Sequence, residues 1–303
     1  MTSRILIIFL AIFASIIGCN PGKERNTRTD FEVPDSVISD SELSFQEETM
    51  GVIIENLASP VEVAAMLMDL GIPYSEELIV DTKIIDGLHT NFNKSLVLGY
   101  LSADLGYLNI YQKNLPLMDY ISSIKNLTDD LNVGQFYDFN TLKRLSEQKH
   151  DLDSLMYISV RSFNRMNSYL ESTRRGHISA LVISGLWLEG MYLATQVAKD
   201  ADHEELRESI GEQKIIMEDL FAVINKYKEE PGFDELISQF QLLKNEFDPV
   251  EITYEPGEPI MEEDENGMLV VTQTEKSMVN ISDHQLERII ERTSDIRNHF
   301  IHL

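Results

Sequence analysis

The sequence predicts a mainly α-helical protein, either an antiparallel helical bundle or stacked helical hairpins, with a small β-hairpin before the C-terminal helix. Three observations predict it. From about residue 60 to 246, apolar residues recur at three- and four-residue spacing, which gathers them on one face of a helix. The connections between these runs are short, which favours antiparallel neighbours. Between 250 and 279 the pattern changes to short β-type runs, and then it returns to helical spacing.

The elements follow in order. Ser59-Pro60-Val61-Glu62 is a capping box with proline at the first helical position. The apolar run Val63 to Leu70 continues that helix, and Gly71 with Pro73 closes it. A second helix is expected from Glu76 to about Leu88, and further helices near 92–111, 115–132, 139–147, 151–173, 177–200, 202–228 and 233–246. The runs Glu251–Tyr254 and Met268–Gln273 flank an acidic, turn-rich stretch with Asn266-Gly267, which reads as a hairpin or extended arm. An isolated hairpin is marginal, so it is expected to lie against the helices. In the last helix Ser282 caps, Gln285 completes a capping box, and Ile281 with Leu286 forms a staple. Leu286, Ile289, Ile290, Thr293, Ile296 and Phe300 make its docking face.

Charge and cysteine content narrow the function. Asp and Glu number 51 against 25 Lys and Arg, for a formal net charge of −26. Such a surface lacks the clustered cations that nucleic acid or anionic lipid requires. The hydrophobic fraction of 43% is ample for a packed core. With one cysteine, Cys19, no intramolecular disulfide forms, and that core must carry the stability.

The chain opens MTSRILIIFLAIFASIIGCN. Arg4 precedes an apolar stretch, Ile5 to Ile17, that is short for a bilayer span and suits an export signal. No other segment is expected to be apolar enough to cross a membrane. Ile16-Ile17-Gly18-Cys19 resembles the lipobox of bacterial lipoprotein precursors. The resemblance implies cleavage after residue 18, lipidation of Cys19 and attachment to a membrane of the cell envelope. The expected organisation is a signal peptide over 1–18, the lipidated cysteine and a flexible polar tether over 19–45, and a single α-helical domain over 46–303 with its β-hairpin near 250–279.

The body carries an internal similarity. SLVLGYLSADLGYLN (95–109) aligns with ALVISGLWLEGMYLA (180–194), matching Leu96 with Leu181, Val97 with Val182, Leu101 with Leu186, Tyr107 with Tyr192 and Leu108 with Leu193. Asp104 aligns with Glu189. Both runs are apolar nearly all round, which marks central helices, and both are rich in small residues that allow close backbone approach. Each carries a carboxylate with tyrosines on its helical face: Tyr100, Tyr107 and Tyr111 around Asp104, and Tyr192 beside Glu189.

Two readings of these residues follow. In the first, each acid accepts hydrogen bonds from tyrosines or neighbouring helix ends and fixes the packing register; Asp104→Asn then lowers stability and nothing else. In the second, Asp104 and Glu189 converge as paired carboxylates for a divalent cation or for acid–base chemistry. The first is the better expectation. No metal or cofactor is expected: Asp200, Asp202 and His203 read as helix capping, His299 and His302 as a solvated end, and Trp187 as core. No nucleophile elbow, phosphate loop or dinucleotide fingerprint is present. The lipobox and the two aligned runs together resemble helical envelope lipoproteins of uncharacterised role, a resemblance that implies no activity. The expectation is a lipid-anchored envelope module that binds a partner or ligand, rather than an enzyme, with an envelope enzyme or divalent-metal protein using Asp104 and Glu189 as the alternative.

Overall fold

The computed structural model describes residues 66–147, 152–200, 203–257, 260–263, 269–272 and 275–302. The export signal, lipobox, tether and Ser59 capping box lie outside the described residues. Residues 66–69 are helical, and Gly71 then takes a left-handed conformation that ends the turn.

The expected second helix is not an α-helix. Residues 72–87 form a strap containing two 3₁₀ turns, Glu76–Leu78 and Thr82–Gly87. The reason is local. Ile79 and Val80 are β-branched and extended chain follows the first turn. Asp81 then caps a new turn by accepting from the Lys83 amide at 2.9 Å.

Beyond the strap run α1 (Asn91–Ile110), α2 (Asn114–Asp130), α3 (Phe139–Glu147), α4 (Leu152–Ser172), α5 (Gly176–Asp200), α6 (Glu204–Asn225), α7 (Phe233–Phe247) and α8 (Asp283–Ile301). These match the expected helices to within three residues at either end. Three turns share one device: Gln112, Asn132 and Arg174 adopt positive φ just past α1, α2 and α4. In each, the following amide reaches back five residues, as Lys113 does to the Leu108 carbonyl at 2.9 Å. That closes helix carbonyls without glycine. At the other end of the chain, Ser282 and Gln285 form the expected capping box.

α1 and α5, the two runs with internal similarity, make the most extensive helix pairing in the molecule. They cross where Gly99 lies against the Val182 carbonyl and Leu186 amide, and Gly185 against the Leu96 carbonyl. A Cβ at either glycine would collide with backbone. α2 packs on α1, α6 and α8 pack on α5, and α7 packs on both α6 and α8. Trp187 sits in this core as expected, its indole N–H donating to Gln213 Oε1 at 2.9 Å. By length and composition α5 is apolar enough to cross a membrane, contrary to the expectation for segments beyond residue 18; 89% of its most apolar stretch is buried in the protein. Its hydropathy reflects a central helix.

Before α8 the chain forms a ribbon of two antiparallel pairs. β1 (Glu251–Pro256) pairs with β4 (Glu275–Asn280), and β2 (Ile260–Glu263) with β3 (Leu269–Thr272). The run at 268–273 therefore partners β2 rather than β1, and β4 supplies the strand that β1 needs. The ribbon lies against α6, where Val279 fills the space over Gly211 and Ser277 hydrogen-bonds Glu212.

Candidate functional site

Past the glycine crossing, α1 and α5 each present one carboxylate to the space between them. Asp104 and Glu189 are fully buried and adjacent. The structure thus brings together the two acids that sequence reasoning paired. It also supplies a third charge that reasoning did not include. Arg297, on the buried face of α8, grips Glu189 with both arms of its guanidinium, Nε to Oε2 at 3.0 Å and Nη2 to Oε1 at 2.9 Å. The same Nη2 reaches the Leu78 carbonyl at 3.3 Å, and the guanidinium lies 4.2 Å from the centre of the Tyr192 ring. A signal for Arg297 was present in the sequence. It stands four residues after Thr293, inside an otherwise apolar stripe, where a charge needs a buried partner.

Asp104 takes its one backbone hydrogen bond from the Val80 amide, to Oδ2 at 2.9 Å. Oδ1 has no donor among the described protein groups. Burial, and then the Glu189 charge, push the Asp104 carboxyl well above the usual carboxylate range. Glu189 is also raised by burial, but Arg297 opposes that shift. Because both Glu189 oxygens are already held by a cation, the proton belongs on Asp104. A protonated Asp104 donates toward Glu189, and the cluster of acid, carboxylate and guanidinium is then electrically neutral.

Three tyrosines hydrogen-bond the strap rather than the acids, which corrects the expected hydrogen-bond pattern. Tyr111 donates to the Ile72 carbonyl at 2.8 Å, and Tyr107 accepts from the Ser75 amide at 3.0 Å. Tyr120, on α2, donates to the Val80 carbonyl. Tyr192 stacks under Arg297, and the buried Tyr100 hydroxyl has no partner among the described residues. Burial raises every one of these phenols, with Tyr111 pushed up to about 12. Side chains of α1, α2 and α8 therefore satisfy backbone groups at 72, 75, 78 and 80. This explains how the strap survives without α-helical hydrogen bonds.

The arrangement suits holding a proton better than holding a metal. Both Glu189 oxygens already accept from Arg297, and among the described residues no group of three or more His, Cys, Asp or Glu is placed to hold an ion. One histidine reading also shifts. His203 occupies the cap position of α6 without a side-chain capping bond, while Asp202 lies outside the described residues. His299 and His302 are exposed, His299 in the last turn of α8 at 3.1 Å from Glu235 and His302 just after it.

A surface cleft of about 600 Å³ opens between the C-terminal part of α5 and α8. Lys199 and Arg207 line it, facing Asp283, Glu287, Glu291 and Asp295 at four-residue spacing along α8. Arg207 already pairs with Asp283 at 2.6 Å.

Fold and site together define a mainly α-helical protein whose central helices enclose a charge-neutral carboxylate–arginine cluster. No protein-family model matches the chain, and no curated protein or solved structure matches it.

Proposed function

We propose that this protein is a lipid-anchored module of the bacterial cell envelope whose helical body binds a partner or ligand. The observation that carries the proposal is the lipobox-like Ile16-Ile17-Gly18-Cys19 behind a short apolar export signal. Two features of the body support the binding role over catalysis. Asp104 and Glu189 are sealed from solvent, with Arg297 bound to Glu189. The cleft between α5 and α8, by contrast, is open and within the size range of ligand sites. Membrane attachment would come from acyl chains on Cys19, at about 0.8 kcal/mol per buried methylene, because the acidic surface does not favour anionic lipid.

The test is metabolic labelling with a clickable fatty acid, followed by envelope fractionation of wild type and Cys19→Ser. Wild type should carry label and sediment with membranes, and the variant should lose both. Unlabelled wild type that still sediments would sink the anchor.

One observation favours a second reading. Asp104 and Glu189 do meet, as a carboxylate site for a divalent cation or for proton transfer would require. Thermal melts with calcium, magnesium, manganese and zinc separate the two readings. No stabilisation is expected, whereas a rise lost in Asp104→Asn would favour the metal reading.

A further inference from the structure

The strap differs from every element around it in how it is held. Neither of its 3₁₀ turns buries a residue. Val80 is the one residue between 72 and 87 that is buried among the described core. Ile72, Tyr74, Leu78, Ile79, Ile84 and Ile85 pack half-buried against the core, and a row of hydrogen bonds joins the strap backbone to side chains of the body: Ile72 to Tyr111, Ser75 to Tyr107, Leu78 to Arg297, and Val80 to both Asp104 and Tyr120. Segments with few fully buried side chains open at lower free energy than the core. Directly under this cover lie two carboxyls, one guanidinium and one amide donor, so charge balance requires one proton.

We infer that the strap, residues 72–87, is a hinged cover latched by the proton that Asp104 and Glu189 share, and that losing this proton opens the strap while the α1–α5 crossing stays closed. The released proton goes to solvent and leaves Asp104 as a carboxylate. Two anions then face one cation, and a single Val80 amide does not offset a buried unit charge. The pair must separate or be hydrated. Separation is blocked on one side, because α1 and α5 touch backbone to backbone at Gly99 and Gly185. Hydration requires that the strap lift Val80 and its half-buried side chains from the core and exchange its hydrogen bonds for water.

The other groups facing Asp104 do not supply an earlier switch. They are Tyr100 and Tyr107 from α1, Tyr120 from α2, Glu189 and Tyr192 from α5, Arg297 from α8 and Tyr74 from the strap itself. The phenols are all held in their neutral form by burial, and Arg297 stays charged against Glu189. Asp81, on the strap, is exposed and turned to Lys83. The device therefore responds to one group. It also gives the closed cluster a route to solvent that the folded body otherwise denies it.

Amide hydrogen exchange of the full chain, followed across pH and corrected for the intrinsic rate at each pH, tests the inference. In wild type, protection at Ser75 and Val80 should fall by up to about tenfold per pH unit above the pH at which an exposed aspartate ionises, about 3.9, and level off where closed Asp104 ionises, while amides of α5 keep theirs. Asp104→Asn, a neutral mimic of the protonated acid, should hold the strap's protection constant. Equal pH profiles in the two proteins, or loss of α5 protection together with the strap, would overturn the proposal. Should the variant fail to fold, infrared spectroscopy of wild type decides. A protonated-carboxyl band must be present when the strap is protected and vanish as protection is lost; absence of the band from the closed state refutes the latch.

Discussion

The same two helices meet in two different ways within little more than a turn. At Gly99 and Gly185, α1 and α5 touch through backbone, with no side chain between them and leucines around. At Asp104 and Glu189 they touch through carboxyls that depend on a proton, on Arg297 from a third helix and on the strap. The first contact is indifferent to pH and salt but cannot admit a methyl group. The second has room for a long side chain but tolerates only one charge state. Fixing a crossing and fixing a register are thus separate tasks in this fold, and the polar contact makes helix packing sensitive to conditions.

The largest way to break the comparison is to strand a charge in the polar half. Arg297→Met should leave Glu189 buried without its cation and cost about 3–5 kcal/mol in urea unfolding. The double variant Glu189→Gln with Arg297→Met removes both charges and should regain most of that loss. A single variant as stable as wild type would mean that water already reaches Glu189, contrary to its complete burial.

A smaller loss is expected from the apolar half. Gly185→Ala places a methyl group against the Leu96 carbonyl, which is backbone and cannot rotate away. Alanine favours helix over glycine by about 1 kcal/mol, so a surface helix would gain. Here overpacking of about 1–3 kcal/mol or more should outweigh that gain, giving a lower melting temperature with no change in pH dependence. A gain in stability would show that the helices can part at this point.

The contrast also marks how far the sequence was legible. Helix positions, the capping box at Ser282 and the centrality of α1 and α5 follow from periodicity and small-residue content, because local signals determine them. That Asp104 and Glu189 would meet was readable from their matching places in two similar runs. Their partners were not. The Val80 amide and Leu78 carbonyl are backbone atoms with no signature of their own, and they became available only because 76–87 declines the helix that its apolar spacing suggests. Tyr107 and Tyr111 sit on the expected face of α1, yet one-dimensional spacing does not distinguish a tyrosine aimed at a carboxylate from one aimed at a strap. β4 was missed for a related reason: Glu275–Asn280 shows weak alternation, and its contact with α6, Val279 over Gly211, is long-range.

The smallest effect at low pH, growing as pH rises, and the sharpest test of the polar half, comes from Asp104→Asn. The expectation from sequence was a loss of stability. The geometry predicts otherwise, since Asn Oδ1 still accepts from Val80 while Nδ2 donates to Glu189, as the protonated acid does. The sign of the pH dependence follows from proton counting. An unfolded aspartate titrates near about 3.9, while folded Asp104 titrates well above that. Between the two values the native state holds a proton that the unfolded state has released, so stability is full below the lower value and falls as pH rises toward the higher one. The slope approaches about 1.4 kcal/mol per pH unit and ends once folded Asp104 ionises. Repulsion among the many surface acids adds its own pH dependence, but it is common to both proteins and cancels in their difference. Urea unfolding of both between about pH 5 and 9 should therefore show the variant gaining on wild type with rising pH, then running parallel to it. Parallel curves over the whole range would place the proton elsewhere, and with it the reason why two central helices of this protein carry an acid each.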